Sequence, residues 1–124
     1  EKALKKASDE TGVSVKEFTV APMIEPKKGL PYHEWWIEFY ETLPKEKTEE
    51  LSSKVNKNLE ELNTYYKDLI KGRVLKPLEI VAVQKNGFKK YMESEGKLGG
   101  QNKLPRLSNN RAIVDKMHLF KKKK

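Results

Sequence analysis

Apolar and polar residues change their spacing several times along the chain, and each change marks an element. Ala3, Leu4 and Ala7 recur at helical intervals among charged residues, so residues 1–10 predict an amphipathic helix with Gly12 as its stop. Val13, Val15, Phe18, Val20 and Ile24 then dominate a strand-rich stretch that runs to Pro26. Its alternation changes phase near Lys16 and Glu17, which predicts a bulge or register shift. Pro26, Lys27, Lys28, Gly29, Leu30 and Pro31 form a turn. Over 32–41 a second strand puts Trp35, Ile37 and Phe39 on one face and Trp36, Glu38 and Tyr40 on the other. The two strands are expected to pair antiparallel. Glu34, Glu38 and Glu41 then read as a solvent-facing row of acids on a half-buried strand rather than a catalytic pair.

Thr48, followed by Glu49 and Glu50, offers a hydroxyl and two acids suited to a helix start. Leu51, Val55, Leu59, Leu62, Tyr66 and Leu69 recur every three or four residues from there, so one long amphipathic helix is expected over 48–71, ending at Gly72. Residues 77–84 predict a third strand, apolar enough to be central in its sheet. A strand, helix, strand order implies a crossover connection. Asn86 and Gly87 lead into a short helix with Phe88, Tyr91 and Met92 on one side, ending at Gly96. A loop follows over 97–107, and Ser108 can cap a final helix through Ile113, Val114 and Met117. The class is α+β: a small mixed sheet of about three strands with helices packed against it, one of them long.

Composition narrows the function classes. The chain has 124 residues and 36% hydrophobic content, enough for one compact domain. It opens at Glu1 in a stretch that already reads as helix, as a piece of a longer protein would. No apolar run is long enough to span a bilayer, so no membrane role is expected. With no cysteine there is no disulfide framework and no thiolate nucleophile, usage that suits the cytoplasm. His33 and His118 lie far apart without a cysteine to complete a metal set, so no metal site is expected. The net charge is +8, but Lys121, Lys122, Lys123 and Lys124 account for half of it. These four are read as a basic, disordered tail to a domain over 1–120. What remains is spread among 18 acidic residues and calls for no specific nucleic-acid partner. The aromatic strand carries acids where an RNA-binding strand would carry cations.

One segment is unusual for its chemistry: Gly96, Lys97, Leu98, Gly99, Gly100, Gln101, Asn102, Lys103, Leu104, Pro105, Arg106, Leu107, Ser108, Asn109. Its glycines permit close approach of the backbone to a ligand, Lys103 offers a point charge, and Arg106 offers a planar fork for phosphate or carboxylate. The spacing is not that of a Walker loop, because Gln101 and Asn102 fall where glycine and lysine are required. On its own chemistry, the segment reads first as a structural connector.

At this segment the sequence resembles the acyl-acid amido synthetases of the Gretchen Hagen 3 type, within the firefly-luciferase superfamily of adenylate-forming enzymes. The similarity extends over Val15, Lys16, Glu17, Phe18, Thr19 and Val20, the aromatic strand, and Leu59, Glu60, Glu61, Leu62, Asn63, Thr64, Tyr65 and Tyr66. It continues through Pro77, Leu78, Glu79 and Ile80 into the Gly99 to Arg106 block. Asn102 departs from the plant pattern, and the Gly-Gly-Gln and Leu-Ser-Asn flanks look closer to bacterial members. The resemblance implies the C-terminal lid domain of an enzyme that uses ATP and Mg, held mainly by the N-terminal large domain, to adenylate a carboxylic acid and join it to an amine or amino acid. Lys103 matches the lysine that completes the adenylation site, while Gly99, Gly100, Gln101 and Arg106 take the supporting, cofactor-binding positions. Isolated, such a domain is expected to be inactive. The rival readings are a basic nucleic-acid-binding α+β module and a protein-interaction domain with no ligand.

Overall fold

The computed structural model describes residues 2–24, 29–96, 106–107 and 111–121. Its described part is α+β, with five α-helices, a short 3-10 turn and three strands. Helix α1 spans Lys2–Thr11, strand β1 Val15–Met23 and strand β2 Tyr32–Phe39. Helices α2 (Lys45–Leu62) and α3 (Thr64–Lys71) precede strand β3 (Glu79–Ala82), and α4 (Gly87–Ser94) and α5 (Ala112–Met117) close the order. The strand order is β1-β2-β3, with β1 antiparallel and β3 parallel to β2. The register shifts between Val15 and Glu17, where the alternation of the sequence changes phase. Gly12 ends α1 at a φ of 74°, a left-handed turn that glycine adopts without strain.

A helical layer covers each face of the sheet. Phe18, Val20, Trp35 and Ile37 point to one side and pack with Ala3, Leu4 and Ala7 of α1 and with Leu51 and Val55 of α2. Ala21, Trp36 and Val83 point to the other side and pack with Phe88 and Tyr91 of α4 and with Val114 and Met117 of α5. This two-sided cover corrects two expectations. Strand β2, not the third strand, is central; the apolar run at Ile80, Val81 and Val83 reflects burial on both faces, since these residues feed both cores. The acids of β2 do not face solvent either: Glu38 is 2% exposed and Glu34 9%.

The helix expected over 48–71 is two helices. It begins at Lys45, three residues before Thr48, with Pro44 as N-cap and the Thr48 hydroxyl donating back to the Pro44 carbonyl. It breaks at Asn63, whose backbone N–H closes α2 on Leu59 while its side-chain oxygen accepts the Tyr66 N–H at 3.2 Å and caps α3. The apolar stripe lapses at the break: Leu62 is 59% exposed, whereas Tyr66 is buried.

A pinned segment and a cavity beneath a helix break

Glu34 and Glu38, on the second face of the sheet, hold that face's helices in place. Helix α4 has no side-chain cap from its own N-cap residue, Asn86, which sits at a φ of 61°. Glu38 replaces it, accepting the backbone N–H of Asn86 at 2.8 Å and of Phe88 at 3.3 Å, with Lys16 at 3.5 Å. The helix dipole favours a carboxylate there. Glu34 accepts the Trp36 indole N–H at 3.2 Å and pairs with Arg111 at 2.8 Å. Arg111 also donates to the Pro22 carbonyl and pairs with Asp115 of α5. Arg111 was not legible as a site residue, because nothing local marks its partners 77 and 89 positions away. Trp35 and Trp36 are both buried, so β2 offers no aromatic platform for bases.

Of the residues singled out in the glycine-rich segment, Gly99, Gly100, Gln101 and Lys103 lie outside the described residues, as does Ser108. Arg106 is described. Its carbonyl accepts the Val20 N–H at 2.9 Å, and Leu107 forms a parallel bridge with Val20, so the end of the segment is fixed to β1. Its guanidinium pairs with Glu17 and lies 4.7 Å over the Phe18 ring, which stacks in turn on Trp35 at 5.9 Å between centroids. At its other end the segment leaves α4 through Gly96, at a φ of 68°.

The Arg106–Phe18 stack separates two hollows. One, of about 360 Å³, lies against α1 and is rimmed by Lys2, Lys5 and Lys16 over Leu4 and Val15. The other, of about 320 Å³, lies between the first face of the sheet and the α2–α3 break, walled by Trp35, His33, Leu59, Asn63 and Tyr66. His33 stacks on Tyr66 at 6.3 Å, and burial pushes its pKa below the ordinary value of 6.5. Burial likewise pushes the Tyr66 phenol up to about 12, so it remains a donor, to Asn56 Oδ1 at 2.6 Å.

Residues 1–112 match the family model described as the GH3 family C-terminal domain. The chain belongs to this family. Its fold is that of the corresponding part of GH3 synthetases of known structure. A GH3.15 acyl acid amido synthetase is 19% identical, with a TM-score of 0.78, over 98% of this chain and 23% of that one. A structure titled AtGH3.15 acyl acid amido synthetase in complex with 2,4-DB gives 18%, 0.74, 98% and 22%. The GH3 domain thus spans less than a quarter of the length of these two synthetase chains. No curated protein matches it. Among its described residues no group of three or more His, Asp or Glu side chains could hold a metal ion, and no helix is long and apolar enough to cross a membrane.

Proposed function

We propose that this GH3 domain is the lid of an ATP-dependent acyl-acid amido synthetase of the bacterial type, over 1–120, working with an N-terminal large domain in the cytoplasm. The observation that carries the reading is the match of residues 1–112 to the family's C-terminal domain. ATP and Mg are assigned mainly to the large domain, and the Arg106 guanidinium is paired with Glu17. This chain supplies Lys103. Its ammonium approaches the phosphate charge that builds up as a carboxylic acid is activated, and a cation placed there stabilises that charge more than the ground state. Gly99, Gly100 and Gln101 are assigned the supporting, cofactor-binding positions beside it. Arg106, anchored to Glu17, Phe18 and Val20, gives the segment a fixed end from which Lys103 is presented. Attack by an amine or amino acid on the activated acid needs no such cation.

The two half-reactions separate this reading from its rivals. In the full-length enzyme, Lys103→Ala is expected to slow acid-dependent pyrophosphate exchange about a hundredfold while leaving amine transfer to a supplied acyl-adenylate nearly unchanged. Lys97→Ala, on the far side of the glycine pair, is the control and should leave both steps intact. Exchange unaffected by Lys103→Ala, or slowed equally by Lys97→Ala, overturns the role of Lys103.

A further inference from the structure

The cavity beneath the α2–α3 break combines features that the lid reading does not use. Its volume of about 320 Å³ falls within the range of small-molecule sites, and its walls are mostly aromatic or aliphatic. Among the described residues, the Trp35 indole N–H is the buried side-chain polar group without a hydrogen-bond partner. A donor shut away from both water and protein costs free energy until an acceptor reaches it. Trp36 next to it shows the usual outcome, since its indole N–H is bonded to Glu34.

The charged groups at the walls define the class of ligand. Arg106 is answered by Glu17, and burial keeps the His33 imidazole in its neutral form near neutral pH. A carboxylate entering here would give up its hydration to face a guanidinium that is already paired. A neutral acceptor such as an amide or ketone oxygen loses much less. We propose that the cavity under the α2–α3 break binds a small, uncharged, mainly apolar molecule that presents one hydrogen-bond acceptor to Trp35. The indole nitrogen has almost no accessible surface, so binding requires the ring to turn towards the cavity. Because Arg106 and Leu107 form part of the wall, occupancy also bears on the anchored end of the Lys103 segment.

The two tryptophans give an internal comparison. On the 124-residue chain, benzamide titrated to millimolar concentration should shift the Trp35 indole N–H resonance saturably and leave that of Trp36 in place. Toluene, which has the ring without the acceptor, should bind three- to tenfold more weakly, the usual size of one hydrogen bond, or about tenfold per 1.4 kcal/mol. Benzoate, which has the shape but carries a charge, should be weaker than benzamide. Trp35→Phe, with binding read from the Leu59 and Tyr66 amide resonances, should weaken benzamide by roughly the same three- to tenfold. If that variant does not fold, Leu59→Phe, which fills the cavity from α2, should abolish the Trp35 shift. An unmoved Trp35 resonance, benzoate binding as tightly as benzamide, or a shift that persists in Leu59→Phe overturns the proposal. None of these readouts involves adenylation, so they stand or fall apart from the role of Lys103.

Discussion

Glu38 is the most deeply buried acid of the central strand. It is shared between the backbone N–H groups of Asn86 and Phe88 at the start of α4 and the ammonium of Lys16 in β1. Removing it leaves the two backbone N–H groups at the start of α4 without their acceptor, and losses of that kind exceed the cost of a surface ion pair severalfold. Glu38→Ala should therefore cost about 3 kcal/mol in urea denaturation, with α4 loosened first, whereas Glu41→Ala at an exposed position after the strand should cost almost nothing. Sequence alone could place Glu34 and Glu38 on one face with Trp36, yet it could not show that face buried. That depends on α4 and α5 folding back over it, and their partners lie up to 89 positions away. The same holds for Arg106: its residue type was legible as a phosphate fork, but Glu17, which it faces, is likewise 89 positions away in the chain.

At the scale of elements, what could be read depended on whether a local pattern records the event. The bulge near Val15 and Glu17 was legible because an extra residue reverses the alternation that a strand must keep. The break at Asn63 was not, since Leu59, Leu62 and Tyr66 keep helical spacing straight through it. The remaining clue was the pair Asn63 and Thr64, a good helix start hidden inside a longer periodic run. Asn63→Ala removes the cap of α3 and should lower stability by about 1 kcal/mol, read as an earlier urea midpoint with an unchanged slope. A change in slope would mean instead that α3 unfolds separately from the rest. The third strand misled for a related reason. Apolar density reports how many faces are covered, and here both faces of an outer strand are covered.

For the molecule as a whole, His33 links folding to pH. Its pKa in the folded state lies below the ordinary 6.5 because burial penalises the imidazolium. Well above pH 6.5 the imidazole is neutral in both states, and its contribution to stability is complete. As pH falls from 6.5 towards the lower folded value, the unfolded chain takes up the proton first and stability is lost; below the folded value the loss levels off. Melting midpoints of the wild type should fall between about pH 7 and pH 5, and His33→Gln should flatten that part of the profile. An identical slope in the variant would assign the titration to other groups. A different whole-molecule property follows from where Arg106, Leu107, Phe120 and Lys121 lie. A three-stranded sheet has two outer rims, and each rim is a row of unmet N–H and C=O groups on which a foreign strand can template itself. On the β1 rim, Val20 N–H is taken by Arg106 and Leu107 lies alongside. Past the end of β3, Gln84 N–H is taken by Phe120, and Lys121 bridges Val83. The C-terminal part of the chain thus covers the β1 rim at Val20 and closes the sheet just past the end of β3, so a second copy would have to displace the chain's own residues at those two points.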